Sequence, residues 1–250
     1  HLAATPPDRR EFLIFGDYLE TQLKKLNVAV HSGVDVSALQ VEAEKPDALV
    51  LATGASALIP PITGIAGPNV RLAWDVLTGK ADTGDEVVII GGGAVGLETA
   101  LFLAHKGALD AETLYFLMFK QAEKFETLQS LLYQGIKRIT VVEMLRKLGQ
   151  DIGSSTRWTI LQDVHRMGIK TLTRTRAKEI TPEGVIAERD GKDLFIKGDT
   201  VVVAAGARSD NRLYEDLKGR VAEIYLIGDA KSPRKVLEAV AEGFEAGRTI

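Results

Sequence analysis

The sequence feature that most constrains the fold is the stretch EVVIIGGGAVG at residues 86–96. Residues 87–90 form a continuous apolar run rich in β-branched side chains. The run is too short for a helix and is followed by glycines, so it predicts a strand buried on both faces. Residues 94–106 contain no proline, and their apolar positions have helical spacing. A strand, a glycine turn and a helix therefore follow one another.

The glycines of this turn form the pattern G-x-G-x-x-G. Gly91 permits a tight turn, Gly93 lacks the Cβ that would block a pyrophosphate, and Gly96 lets helix and strand pack closely. The N–H groups that begin the helix would point at the anion. An ordinary glycine turn is the alternative, but the flanking strand and helix favour dinucleotide binding. The predicted contacts are Gly91, Gly92, Gly93, Ala94, Val95 and Gly96.

An acid about 20 residues beyond the last glycine usually binds the ribose of such a cofactor. No acid stands at that distance, but residues 138–143 resemble a second strand that ends in Glu143, 47 positions after Gly96. If residues 109–135 are an insertion, the spacing becomes 20. We therefore predict Glu143 as the ribose ligand. The insertion contains two helix-like segments that we expect to pack against the core, and docking of a partner is the alternative.

Three other strands end in residues that suit a cofactor. Residues 46–55 and 199–207 each close on small residues and a glycine, where a Cβ would clash with a cofactor; a plain strand-to-turn junction is the alternative. Residues 223–230 break at an acid that can accept hydrogen bonds from a polyol, or can cap the next helix instead. The added candidates are Thr53, Gly54, Ala205, Gly206, Gly228 and Asp229.

The remaining patterns complete an α/β fold. Residues 8–26 predict a helix capped by Asp8, and residues 28–33 predict a short strand. Residues 151–168 predict a helix capped by Ser154, Ser155 or Thr156. We expect an antiparallel meander made by the strands at residues 169–173, 184–189 and 193–197, with a hairpin turn at Asp190-Gly191.

Composition narrows the functional classes. A net charge of −3 gives no electrostatic reason to bind nucleic acid. The sequence has no apolar run of 18 residues and no signal-peptide pattern, so we expect no membrane contact and a cytoplasmic location. With no cysteine, these 250 residues hold no redox dithiol and no cysteine-bound cluster. The four histidines lack metal-ligand spacing, so no metal site is predicted.

Several motifs in order resemble the flavoproteins with two dinucleotide-binding domains. They are the residues 51–55 (LATGA), 60–64 (PPITG), 88–98 (VIIGGGAVGLE), 203–207 (VAAGA) and 225–229 (YLIGD). Residues 3–12, 142–145 and 151–158 are similar to the C-terminal part of the 2,4-dienoyl-CoA reductase and 2-enoate reductase family of NADH:flavin oxidoreductases. The resemblance covers essentially the whole chain, and it adds Glu98 to the cofactor contacts.

The resemblance implies a Rossmann-like, doubly wound parallel sheet with an antiparallel meander, beside a partial FAD-type three-layer domain. We predict residues 1–80 and 206–250 as the discontinuous, partial FAD-binding domain. Residues 81–205 are predicted as the NAD(P)H-binding domain with its helical insertion at about 109–135. In the family this region takes hydride from NAD(P)H to FAD, and a barrel domain then reduces an enoate or dienoyl-CoA type substrate.

The chain departs from the family pattern because it has no barrel, no cysteine cluster and no second G-x-G-x-x-G for FAD. We therefore expect a fragment without catalytic residues of its own, inactive alone towards the full substrate and weak in holding FAD. A non-catalytic nucleotide-binding module is the alternative. Glu143 favours NADH over NADPH because its charge repels a 2′-phosphate, whereas Arg146 and Lys147 argue for NADPH.

Overall fold

The computed structural model describes residues 2–7 and 9–250, so the predicted cap Asp8 lies outside the described residues. Two compact units are present, one made by the residues up to Glu20 with Ile59–Gly206, the other by Thr21–Leu58 with Ala207–Ile250. The assignment of an FAD domain to 1–80 with 206–250, and of an NAD(P)H domain to 81–205, stays a prediction.

The described residues fold into a mixture of strands and helices. The strands are β1 (Ala48–Leu51), β2 (Ala55–Ala57), β3 (Val70–Leu72), β4 (Glu86–Ile90), β5 (Arg138–Val142), β6 (Lys170–Leu172), β7 (Thr175–Thr181), β8 (Gly184–Arg189), β9 (Lys192–Lys197), β10 (Thr200–Val203), β11 (Ala207–Ser209) and β12 (Glu223–Leu226). The α-helices are α1 (Glu11–Lys25), α2 (Ala38–Glu44), α3 (Ala73–Leu77), α4 (Ala94–Ala104), α5 (Ala111–Phe119), α6 (Phe125–Leu132), α7 (Ser154–Arg166), α8 (Arg212–Leu217) and α9 (Val236–Thr249). Among the described residues no helix is long and apolar enough to cross a membrane.

A five-stranded parallel sheet in the order β3-β10-β4-β5-β6 forms the centre of the first unit. Val87 and Ile89 of β4 pack on one face with α4 and α7, while Val88 and Ile90 pack on the other face with the β7-β8-β9 meander. Alternate side chains of one strand thus enter two cores, as the continuous apolar run predicts. The predicted α/β fold with a parallel sheet and an antiparallel meander is confirmed.

The meander differs from the prediction in its first strand. Residues 169–173 do not join it, because β6 pairs with β5 in the parallel sheet instead. The first meander strand is β7, which pairs with β8. Because α7 and its left-handed Gly168 complete a crossover from β5, the next strand returns parallel to β5. The predicted hairpin turn at Asp190-Gly191 is confirmed, with φ of 51° and 75° at these residues.

The insertion at about residues 109–135 contains the two helices α5 and α6, and the two differ in how far their side chains are buried. Leu128 of α6 is fully buried, as core packing predicts. The helix α5 has no buried residue, so the expectation that it packs against the core is wrong. Its exposed large apolar side chains are Tyr115, Phe116, Met118 and Phe119. Tyr115 and Phe119 are one helical turn apart and stack on each other, so part of this apolar surface is covered within the helix.

Two local predictions are wrong. Residues 28–33 form no strand, since Val28 and Val30 are exposed and no neighbouring strand pairs with them. The helix α7 has Gly153 as its N-cap and no side-chain cap bond, so none of the serine and threonine candidates caps it. The helix predicted at residues 8–26 is confirmed among the described residues as α1 (Glu11–Lys25), and none of its residues is buried. In the second unit, β1 pairs in parallel with β12, and β2 pairs with β11 in antiparallel fashion.

Candidate dinucleotide site

Three neighbouring parallel strands of the first unit end at the same edge. The N–H of Gly91 donates to the carbonyl of Val142 at 2.9 Å, and the N–H of Ala204 donates to the carbonyl of Ile90 at 2.8 Å. These bonds place the glycine turn after β4, Glu143 after β5, and the pair Ala205 and Gly206 after β10 side by side. Ligands of open parallel sheets bind outside these carboxyl ends.

Each of the three glycines of the G-x-G-x-x-G motif is present for a different structural reason. Gly91 has a φ of 112°, and a Cβ there would overlap the carbonyl oxygen of Ala204. A Cβ on Gly96 would overlap the carbonyl oxygen of Gly91, so α4 packs directly on the turn. Gly93 is extended at φ −76°, and the atoms nearest to its hypothetical Cβ belong to the Asp151 carboxylate, the closest at 3.0 Å. The nearest obstacle at the face of Gly93, which we call the cradle, is therefore a side chain and not backbone, which fits a pyrophosphate once that side chain moves.

The first turn of α4 presents backbone donors toward this cradle. Gly93 is the N-cap and offers no side-chain cap, so the N–H of Ala94 is left for another partner. Val95 is partly buried and packs against the core, which fixes the start of the helix. A helix start whose first N–H donates to a carboxylate rather than to a cap of its own helix, beside a glycine face, is an arrangement that can bind phosphate.

Glu143 is a buried acid at the edge of the cradle, 8% exposed. One of its oxygens accepts from the N–H of Gly92 at 2.6 Å, and the other accepts from the N–H of Leu145 at 2.7 Å. Within the described part of the chain no Lys or Arg forms a salt bridge with it; Arg146 and Lys147 are exposed. Backbone N–H groups therefore hold this carboxylate beside the glycine turn, and no cationic side chain among the described residues pairs with it.

Glu98 does not join this cluster. It lies on α4 beyond the first turn and accepts from the guanidinium of Arg9 at 2.8 Å. Both side chains line a cavity of about 360 Å³ whose lining also includes His105 and Arg166 but none of residues 91–96. The predicted contact of Glu98 with the cofactor stays a prediction.

The second unit brings its four predicted residues to one edge as well. Leu51 and Leu226 pair at the carboxyl ends of β1 and β12, which places Thr53 with Gly54 beside Gly228 with Asp229. The Thr53 hydroxyl donates to the carbonyl of Asp210, and the N–H of Asp210 donates to the carbonyl of Gly54 at 3.0 Å. Gly54 and Gly228 both have positive φ, 77° and 61°.

Asp229 and Glu242 fix the turn that follows β12. Asp229 accepts from the backbone N–H of Arg234 at 3.0 Å, in the segment before α9. Glu242 accepts from the Arg234 guanidinium at 2.6 Å, from the N–H of Gly228 at 2.8 Å and from Lys231 at 3.2 Å. The hydrogen bond from Arg234, followed by that from Gly228, lowers the pKa of the Glu242 carboxyl to about 2.

Sequence reasoning missed the loop between β5 and α7. Gly149 donates to the carbonyl of Gly92 at 2.7 Å, and Asp151 accepts from the N–H of Ala94 with both carboxylate oxygens at 3.0 Å. Asp151 stands 57 positions after Ala94, so no local pattern pairs them. The one sequence signal was the glycine at position 149, and the structure gives it a left-handed φ of 59°.

Comparison with known proteins identifies a family. A family model described as "Pyridine nucleotide-disulphide oxidoreductase" matches residues 16–243. A metal reductase of Desulforamulus reducens is 44% identical over 247 residues, which are 97% of this chain and 37% of the relative. An NADH oxidase of Thermoanaerobacter brockii is 35% identical over 100% of this chain and 35% of the relative.

A solved structure shows the same relationship. The complex of 2-naphthoyl-CoA reductase with 2-naphthoyl-CoA superposes with a TM-score of 0.83 at 28% identity, covering 100% of this chain and 34% of that one. The chain thus spans about a third of the length of the relatives it matches. The predicted resemblance to 2,4-dienoyl-CoA reductase-like flavoproteins is confirmed.

Proposed function

Because the chain belongs to the pyridine nucleotide-disulphide oxidoreductase family, we propose that it is the electron-input module of a flavin-dependent oxidoreductase and takes hydride from NADH to FAD. The observation that carries the proposal is the face of Gly93 beside the N-terminus of α4, where the nearest atoms belong to the Asp151 side chain and not to backbone. The contacts we assign to the nicotinamide nucleotide are those at residues 91–96, with Glu143, Ala205 and Gly206. We assign Thr53, Gly54, Gly228 and Asp229 to FAD.

The chemistry divides between cofactors and chain. NADH supplies the hydride and FAD accepts it. The residues of this chain bind and orient: the first turn of α4 holds the pyrophosphate by backbone N–H groups, and Glu143 accepts from the ribose hydroxyls. With no cysteine in the 250 residues, a dithiol within them takes no part.

The acceptor side is proposed from the relatives. Each is about three times the length of this chain, which supports a further domain in the whole protein. The naphthoyl-CoA reductase structure supports an enoate or dienoyl-CoA type substrate for that domain, which we propose to be a barrel.

Substitution of Gly93 tests the site. Gly93→Ala keeps an ordinary φ and has an exposed carboxylate as its nearest neighbour, so we expect it to fold, yet its methyl group fills the cradle. We expect NADH affinity, measured by calorimetry, to fall roughly tenfold or more. Gly153→Ala is the matched control, because no atom lies within 4 Å of its added Cβ. Unchanged NADH affinity in Gly93→Ala, or no NADH binding by the parent chain, would overturn the proposal.

Cofactor choice is proposed in favour of NADH, supported by the unpaired buried charge of Glu143. Glu143→Gln removes the repulsion of a 2′-phosphate, so we expect NADPH affinity to rise relative to NADH affinity. Exposed Glu126→Gln on α6 is the control for net charge. If the parent chain binds NADPH more tightly than NADH, the choice is refuted.

FAD retention is proposed to be weak in these 250 residues. The only G-x-G-x-x-G lies at residues 91–96, so the FAD pyrophosphate has no fingerprint loop of its own within them. We expect the purified chain to be nearly colourless. A yellow protein with one FAD per chain contradicts this expectation.

A further inference from the structure

The carboxylate of Asp151 lies where the pyrophosphate of a dinucleotide would bind in the proposed site. Asp151 belongs to the loop between β5 and α7, and both its oxygens lie 3.0 Å from the N–H of Ala94, the first residue of α4. The same carboxylate is the nearest group to the face of Gly93. The donor and the cradle that suit a pyrophosphate are therefore both engaged by Asp151.

We propose that Asp151 is an internal anion that occupies the pyrophosphate position and is displaced when a dinucleotide binds. The inference rests on the proposed function. Two anions within a few ångströms repel each other, and the N–H of Ala94 is a single donor, so carboxylate and pyrophosphate exclude each other. Nucleotide binding is thus an exchange of one anion for another at the start of α4.

The loop is built so that only the side chain has to move. Gly149 stays anchored to Gly92 by its backbone hydrogen bond of 2.7 Å, and Leu148 packs against the core. Asp151 itself is exposed, so its carboxylate leaves directly into water without crossing protein. In the absence of nucleotide, Asp151 supplies the cap that Gly93 lacks.

Removal of the Asp151 carboxylate should change nucleotide affinity in opposite directions for a displaced anion and for a purely structural cap. A cap that stays in place stabilises the site, so its removal weakens both folding and nucleotide binding. A displaced anion stabilises only the nucleotide-free state, so its removal weakens folding and strengthens binding.

The experiment measures binding of ADP-ribose and NADH by calorimetry, with thermal unfolding of the nucleotide-free chain beside it. The variants are Asp151→Asn and Asp151→Ser in the full 250-residue chain. Asp163→Asn is the matched control, an aspartate on α7 that pairs with Arg166 at 3.6 Å. We expect both Asp151 variants to melt at a lower temperature and to bind ADP-ribose about threefold to tenfold more tightly. The control should leave affinity unchanged.

Each other outcome decides the matter. If the parent chain binds ADP-ribose and the Asp151 variants bind it equally or more weakly, the exchange is overturned while the proposed function stands. Equal tightening in Asp163→Asn attributes the effect to net charge and also overturns it. If both Asp151 variants fail to fold even with ADP-ribose present, the carboxylate is needed in the bound state too, so it is not displaced and the exchange is overturned. If no protein binds either nucleotide, the proposed function falls and the anion exchange falls with it.

Discussion

At the scale of single residues, the effect of a glycine depends on what its missing Cβ would meet. A methyl group on Gly96 would overlap the carbonyl oxygen of Gly91, which belongs to a turn held by its own hydrogen bond to Val142. We expect Gly96→Ala to lower the free energy of unfolding by about 1–3 kcal/mol, because backbone must shift to accept it. Urea unfolding followed by circular dichroism measures the change.

Gly16→Ala is the control for this prediction. Gly16 lies in the middle of α1, and no atom lies within 4 Å of its added Cβ. Alanine is the better helix former, so this variant should gain about 0.5–1 kcal/mol. A loss in both variants would show that the close approach at Gly96 is not the cause.

At the scale of elements, the two helices of the insertion are expected to respond oppositely to truncation. Leu128→Ala in α6 leaves a cavity in a fully buried place and should lower the free energy of unfolding by about 2–5 kcal/mol. Phe116→Ala in α5 removes a side chain that is 55% exposed and should change it by less than about 1 kcal/mol. Chemical denaturation of the two variants is the measurement. A large loss in Phe116→Ala would contradict the exposed position of α5.

At the scale of the whole molecule, acid stability is expected to depend on Glu242. Its carboxyl has a folded pKa of about 2 against an ordinary value of 4.5, so the charged form is favoured by folding. A depressed pKa contributes stability that is complete above pH 4.5 and is lost as the pH falls from 4.5 to 2. We expect Glu242→Gln to melt at a lower temperature at pH 7 and to show a shallower loss across that window.

Glu245→Gln is the companion variant for the acid series. Glu245 lies on the same helix and pairs with Arg248 at 2.8 Å, but both side chains are at least 60% exposed. An exposed pair of this kind contributes little, so its acid profile should follow the parent chain. If Glu242→Gln also follows the parent profile between pH 4.5 and 2, the network around Gly228 has no part in acid stability.

The sequence by itself determined the features that depend on neighbours along the chain. The run at residues 87–90, the glycine turn and the hairpin at Asp190-Gly191 are local patterns of apolar spacing and backbone freedom, and the structure has all three. The position of Glu143 at the end of β5 was also predicted from the sequence, because a strand ending in an acid is a local pattern once the insertion is set aside. Its role as a ribose ligand stays a prediction.

Only the tertiary structure decided which distant residues these local elements contact. Apolar spacing predicts a helix at α5 equally well whether its side chains are buried or exposed, since burial depends on distant residues. The placement of residues 169–173 beside β5 depended on the crossover through α7. Asp151 reaches Ala94 across 57 positions because the loop after β5 folds back on the glycine turn. That contact comes from how the chain closes on itself, so no pattern of neighbouring residues contains it.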